Sequence, residues 1–194
     1  NGGDAICAAG VLHKKNYVVH VHFLIEKNEI NGLASRYHEE FVNSSGSISY
    51  GIELIKYDGF DIIIDGIIGI GFSDSLSEKI VSWIRWINQS DLYVIAIDIS
   101  SGLNSDNGLA SPVAIKANKT VTFGFGKVGL YLADGKDHSG DIEVADIGVS
   151  YQAIENIDKV NYKLFDSKKA EKMLVSIPSN TYKQDRGKVL IIAG

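Results

Sequence analysis

Apolar positions run along the chain in two rhythms, and their alternation predicts the architecture. Val18-Val19-His20-Val21-His22-Phe23-Leu24-Ile25 is β-branched and aromatic, the composition of a strand. Leu33, Tyr37 and Phe41 recur at helical spacing and predict a helix over 30–42. Residues 48–56 read as a strand again. From Asp61 to Ile64 a near-continuous apolar run begins, as expected of a parallel strand buried on both faces. Beyond Gly69-Ile70-Gly71, residues Leu76, Ile80, Trp83, Ile84 and Ile87 form the inner stripe of a helix over 75–89, which makes Trp83 and Trp86 packing residues. Strands are expected over 92–97, 119–125 and 141–147, the last with the alternation of a sheet-edge strand. Strands alternating with helices specify an α/β fold, a mostly parallel sheet with helices on both faces.

From Tyr151 the pattern changes. Polar, helix-like material leads to Pro178-Ser179-Asn180-Thr181, which has the composition of a linker. Gly187-Lys188-Val189-Leu190-Ile191-Ile192-Ala193-Gly194 then reads as the first strand of a new α/β unit. The expected organisation is a domain over 1–150, a terminal helix and linker over 151–180, and the start of a second domain over 181–194. At about 150 residues per domain, 194 residues fit this division. The chain opens on Asn1, and its sole methionine is Met173, so the expectation is a fragment whose front is missing.

Composition narrows the function classes. Hydrophobic residues make up 45% and charged residues 22%, which excludes a disordered chain. No run approaches 18 apolar residues, so no membrane span is expected. Cys7 is the single cysteine and has no internal disulfide partner, making a cytoplasmic setting the default expectation. The net charge of −5 argues against a nucleic-acid face. It does not argue against a small anionic ligand, because amides at a helix start attract phosphate without any basic side chain.

In an open parallel sheet, ligands bind beyond the carboxyl ends of the strands. Asn1-Gly2-Gly3-Asp4 precedes the small-residue run Ala5-Ile6-Cys7-Ala8-Ala9 and reads as a tight turn opening a helix. Asp65 ends the Ile-rich strand ahead of the Gly69-Ile70-Gly71 loop, and Asp98 ends the next strand ahead of Ser100 and Ser101. Paired carboxylates with hydroxyls and an amide nearby suit an all-oxygen cation site or acid/base chemistry, while an Asp capping nearby amides is the structural alternative. His20 and His22 share one strand face, where half-buried packing outweighs metal ligation because no Cys or third His is close in sequence. The sequence has no CxxC, GxSxG or Walker A motif.

Five segments taken in order resemble one family. Asn1-Gly2-Gly3-Asp4 is similar to the end of GNNGGDG, and Asp65-Gly66-Ile67-Ile68-Gly69-Ile70-Gly71 to DALLGTG. Ile97-Asp98-Ile99-Ser100-Ser101-Gly102-Leu103-Asn104 with Gly108 resembles IDIPSGLD…G. Lys116 to Phe123 resembles KADxTVTF, and Gly140-Asp141 through Ala145-Asp146-Ile147-Gly148 resembles GxxxxADIG. This is the pattern of the NAD(P)H-hydrate epimerase family, the YjeF N-terminal domain. Tyr182-Lys183 and the segment 187–194 are similar to the opening of an ADP/ATP-dependent NAD(P)H-hydrate dehydratase domain.

The resemblance implies a Rossmann-like three-layer sandwich whose first, central strand is missing from this chain. It implies epimerisation of the R and S forms of hydrated NADH and NADPH, within a bifunctional enzyme whose second half dehydrates the S form. It further implies potassium as cofactor, with Asn1, Asp65 and Ser101 as its ligands. Asn1, Gly2, Gly3, Asp4, Gly69, Ile70, Gly71, Phe72, Ser73, Asp74, Ser75 and Asp98 match positions that hold the substrate, and Asp98 is the expected acid/base. The expected partner is the small-molecule hydrate, with no nucleic acid or membrane; a homo-oligomer is left open. A non-catalytic scaffold of the same fold is the alternative. Against the family pattern, Ile70 stands where Thr is usual and Ser77 where Arg is usual.

Overall fold

The computed structural model describes residues 2–56, 58–71, 75–150, 162–173, 179–182, 188 and 190–192. The chain divides into two compact units, Asn1–Ser150 and Tyr151–Gly194.

In the first unit, the elements are α1 (Gly2–Lys14), β1 (His20–Phe23), α2 (Gly32–Asn43), β2 (Ser47–Tyr50), β3 (Ile62–Asp65) and α3 (Glu78–Asn88). They continue with β4 (Tyr93–Ile97), β5 (Lys119–Phe123), a short α4 (Gly135–Ser139) and β6 (Asp141–Ala145). All strand pairs are parallel and fall into two sheets, β1-β2 and β3-β4-β5-β6.

Helices cover both faces of the β1-β2 sheet. Val21, Phe23 and Ile48 pack with Ile6, Ala9 and Phe41 of α1 and α2. The opposite face of β1 carries His20 and His22, and the His22 ring stacks on Trp83 of α3 at 4.9 Å between centroids. α3 also covers the larger sheet: Ile84 and Ile87 pack against Val94, Ala96, Ile115 and Ala117. A third cluster, Ile99, Leu103, Ala114 and Leu130, sits beneath the loops that follow β4.

Several predicted elements are shorter in the structure, each for a local reason. β2 stops at Tyr50 because Gly51 adopts φ +109, a left-handed conformation that ends extended pairing. β1 is limited to the four residues that find register partners, His20↔Ser47 through Phe23↔Tyr50, and Val18 is exposed. α3 begins at Glu78 because the Ser77 hydroxyl caps it, accepting from the Ile80 amide at 3.4 Å. A position where the family pattern carries Arg therefore has a helix-capping role here. Gly2, Gly3 and Asp4, expected in a turn, lie in the first turn of α1. β6 stands at the edge of its sheet, as its alternation predicts.

The facing borders of the two sheets, β1 and β3, are not hydrogen-bonded to one another. Between them lies a cavity of about 170 Å³, lined by His20, His22, Ile62, Ile64, Trp83 and Trp86 among others.

In the second unit, the described residues contain one helix, α5 (Ser167–Met173), with no buried residue; Lys168, Lys169 and Lys172 lie on it as a solvated face. Of the segment 187–194, the described residues 188 and 190–192 are in no strand, and Leu190, Ile191 and Ile192 are exposed. No helix among the described residues is long and apolar enough to cross a membrane.

Candidate functional site

Two acidic clusters form beyond the carboxyl ends of adjacent parallel strands. The first is built on Asp65, the last residue of β3, whose Cα register partner on β4 is Ala96. Its carboxylate is buried at 1% exposure. Oδ2 accepts the Ser101 amide at 2.8 Å, and Oδ1 accepts the Ser101 hydroxyl at 2.6 Å and the Ile67 amide at 3.2 Å. The Ser101 oxygen in turn accepts the Ile68 amide at 2.8 Å.

This arrangement follows from the turn after β4. Gly102 adopts φ +91, and a Cβ there would lie 2.2 Å from the Val113 carbonyl oxygen. The resulting tight approach sets the Ser101 carbonyl to accept from the Ile115 amide at 2.9 Å and turns the Ser101 amide and hydroxyl toward β3. Ser100 is held by its hydroxyl bond to the His138 carbonyl at 2.7 Å.

Burial is the largest influence on Asp65 and pushes its carboxyl up; the Ser101 hydroxyl, the Ser101 amide and the Ile67 amide pull it back without cancelling the rise. Every partner given to this carboxylate is a neutral dipole. A buried carboxylate in that setting reaches neutrality by taking up a proton or by binding a cation. The oxygens gathered here, from a carboxylate and a hydroxyl, suit a hard cation.

The second cluster is centred on Asp98, one residue beyond β4, with φ +66. Its amide bonds the Val121 carbonyl at 2.8 Å, which ties it to β5. Its Oδ1 accepts three donors: the Thr122 hydroxyl at 3.0 Å, the Phe123 amide at 3.1 Å and the Lys127 ammonium. Oδ2 accepts none among the described residues. Burial pushes this carboxyl up, and the Lys127 hydrogen bond, the Phe123 amide, the Lys127 charge and the Thr122 hydroxyl together bring it below its ordinary value. Asp98 is thus held as a carboxylate with one oxygen saturated and the other available.

The structure therefore joins Asp65 to Ser101 and sets Asp98 at the neighbouring strand end. Gly69, Ile70 and Gly71 follow β3 in the same loop as Ile67 and Ile68, with Ile70 58% exposed, and Ser75 is also exposed. Gly2, Gly3 and Asp4 open α1, where the nearest atom to a Cβ built on Gly3 is the Ala34 amide nitrogen of α2 at 3.8 Å. Asn1, Phe72, Ser73 and Asp74 lie outside the described residues.

Sequence reasoning missed Lys127 and Thr122. Thr122 stands inside the KADxTVTF-like stretch and Lys127 follows the glycine-rich run at 124–126, and nothing in the sequence marks their convergence on Asp98. His20 and His22 bind serine hydroxyls of β2: the two His20 ring nitrogens lie 2.8 and 2.7 Å from Ser47 and Ser49, and His22 Nδ1 lies 2.7 Å from Ser49. Among the described residues no group of three or more His, Cys, Asp or Glu is placed to hold a metal ion. In this structure the histidine pair packs between the β2 serines and Trp83. A separate hollow of about 420 Å³ over α2 shares no residue with either acidic cluster.

Comparison with known proteins places the chain in a family. Residues 1–129 match the family described as YjeF-related protein N-terminus. An NAD(P)H-hydrate epimerase of Oenococcus oeni is 32% identical over 156 residues, covering 77% of this chain and 70% of that protein. An NAD(P)H-hydrate epimerase of Limosilactobacillus reuteri is 35% identical over 145 residues, covering 75% of this chain and 68% of that protein. A bifunctional NAD(P)H-hydrate repair enzyme of Coxiella burnetii aligns with the whole chain at 29% identity and with 39% of its own length. A yeast protein of known crystal structure shares the fold, with a TM-score of 0.58 at 16% identity, over 74% of this chain and 59% of that one. Five ordered motifs, a parallel α/β sheet with its acidic residues at the strand ends, and relatives above 30% identity agree: the chain belongs to the YjeF-related N-terminal family.

Proposed function

We propose that this chain epimerises the R and S forms of hydrated NADH and NADPH, with Asp98 as the acid/base. The observation that carries the assignment is the state of Asp98: an ionised carboxylate with an available Oδ2, at the carboxyl end of a parallel strand.

The carbon to be inverted carries a hydroxyl and the ring nitrogen, so it is a hemiaminal. A resting carboxylate favours the base-first route. Asp98 takes the hydroxyl proton, the oxygen lone pair forms a carbonyl, and the bond from carbon to nitrogen breaks with its electrons on nitrogen. The proton passes from Asp98 to that nitrogen. Closure on the opposite face reverses these steps and inverts the centre, with no net change in protonation.

Asp65 and Ser101, with Asn1, are the proposed holders of a potassium ion. The ion, when bound, supplies positive charge beside an anionic dinucleotide and offsets the buried charge of Asp65. The α1 amides at Gly2, Gly3 and Asp4 and the loop over 69–75 are proposed to contact the dinucleotide, the amides by donating hydrogen bonds to its phosphate oxygens. The alignment of all 194 residues with a bifunctional repair enzyme supports placing this chain in the epimerase part of such a protein, with residues 151–180 as helix and linker and 181–194 as the lead into a dehydratase half that uses ADP or ATP.

The test is to incubate the full natural chain, in potassium buffer, with chromatographically purified R hydrate. Appearance of the S hydrate up to a constant ratio is expected. Unchanged R hydrate, with the protein folded, overturns the assignment.

A further inference from the structure

Asp98 is not the end of the hydrogen-bond chain. The Lys127 ammonium donates to Asp98 Oδ1, to the Thr122 hydroxyl oxygen at 3.0 Å and to the Phe123 carbonyl at 3.1 Å. Those three acceptors use all three ammonium protons. The side chain is 19% exposed beside an Asp98 side chain at 10%. Thr122 completes the circuit, donating to Asp98 while accepting from Lys127.

The backbone around Lys127 is fixed as firmly. Its carbonyl accepts the Leu130 amide at 3.1 Å, and the Gly129 amide bonds the Ser105 carbonyl at 2.7 Å. A Cβ at Gly129 would lie 2.1 Å from the Asn104 carbonyl oxygen, and one at Gly126 would lie 2.6 Å from the Tyr131 hydroxyl. The loop from β5 is thus pressed against the turn that follows Asp98.

We propose that Lys127 is a positioning residue for the epimerisation: by occupying Oδ1 of Asp98 it confines the proton of the reaction to Oδ2. The proposal rests on Asp98 being the acid/base. An ammonium with all its protons engaged has none to offer substrate, so Lys127 acts through Asp98. It also sets the charge state of Asp98, because it is the charged group acting on that carboxylate. The charged groups on the flanking strands are committed elsewhere. Asp65 on β3 is bound by Ser101, and Lys119 at the start of β5 pairs with Glu143 of β6 at 2.6 Å.

The experiment compares pH profiles of epimerisation for the full natural chain, Lys127→Met, Lys127→Arg and Asp98→Asn. Removing the cation lets burial dominate Asp98. The acidic limb of kcat/KM is expected to move up by about one pH unit or more in Lys127→Met. Below the limb, where the rate follows the ionised fraction, a rise of about one pH unit lowers the rate about tenfold, and the loss is recovered at about pH 8.5. Lys127→Arg, which retains a cation, leaves the limb in place.

A uniform loss across pH in Lys127→Met, or a raised KM with an unmoved limb, overturns the proposal. Should Lys127→Met fail to fold, Thr122→Val, which removes one donor to the same oxygen, is judged by the same limb. Asp98→Asn separates the two levels of inference. If it retains full rate, the reading of Asp98 itself fails; if it is inactive while the limb of Lys127→Met stays put, only the positioning role fails.

Discussion

The amide and the hydroxyl of Ser101 both bond the carboxylate of Asp65, at 2.8 and 2.6 Å, across 36 residues of sequence. Two bonds from one serine hold the strand-end carboxylate in a single orientation and tie the loop after β3 to the loop after β4. They do not compensate its charge. This pairing is the basis for the first two expectations.

Potassium is expected to stabilise the protein through Asp65. The folded state raises the Asp65 pKa, so between its unfolded and folded values the native state binds more protons than the unfolded one. That contribution is therefore largest at low pH and is lost as pH rises through the window. A bound cation reverses the loss. At pH 7.5, thermal unfolding in potassium chloride should show a higher midpoint than in tetramethylammonium chloride. Asp65→Asn should remove that difference.

Gly102→Ala should destabilise the protein by about 3 kcal/mol or more, from left-handed strain added to a collision with backbone. The φ of +91 and the 2.2 Å approach to the Val113 carbonyl leave no soft atom to move. Chemical denaturation measures the loss, and a variant within about 0.5 kcal/mol of the parent would count against the turn geometry described here.

Asp98→Asn should lower the epimerisation rate by about 10²–10⁴-fold while retaining the fold. Asparagine tolerates the left-handed conformation at φ +66 and keeps an oxygen for the Thr122 and Phe123 donors. The check is steady-state epimerisation alongside an unfolding curve.

The histidine pair gives an acid-sensitive contribution to stability. Burial lowers the pKa of His20 and of His22, and His22 Nε2 is buried with no hydrogen-bond partner. The native state therefore favours the neutral rings, and their contribution is present above the unfolded value near 6.5 and lost as pH falls toward the folded value. The stability difference between the parent and His22→Gln should be larger in the parent's favour at pH 7.5 than at pH 5.5. Paired denaturation curves at the two pH values test this.

Residues 1–194 studied alone should unfold at a low midpoint and bind a hydrophobic dye. The borders of β1 and β3 face a cavity of about 170 Å³ without bonding to one another. Unpaired strand borders beside apolar space are weak points of a sheet. A cooperative, high-midpoint melt with no dye binding would show that this border is adequately covered.

Much of the fold was legible along the chain because burial imposes period on sequence. The Ile run ending at Asp65 is the strand its composition predicts, though less covered than expected, with Ile62 exposed and Ile63 and Ile64 half-buried; the stripe through Trp83, Ile84 and Ile87 faces the strands. Boundaries were less legible. Gly51 and the Ser77 cap act through backbone conformation and one hydrogen bond, neither of which changes the hydrophobic pattern.

The sequence by itself determined the order of strands and helices, the carboxylates at two strand ends and the family motifs. Only the tertiary structure decided what those carboxylates touch. Parallel register sets Ile97 beside Val121, which brings the Thr122 hydroxyl and the Phe123 amide to Asp98. The loop beyond β5 then returns Lys127 to the same oxygen, 29 residues later in the chain. Periodicity records which side of an element is buried. It carries no record of which distant polar group lies opposite, because that is fixed by strand register and turn geometry, and there the charge state of Asp98 is set.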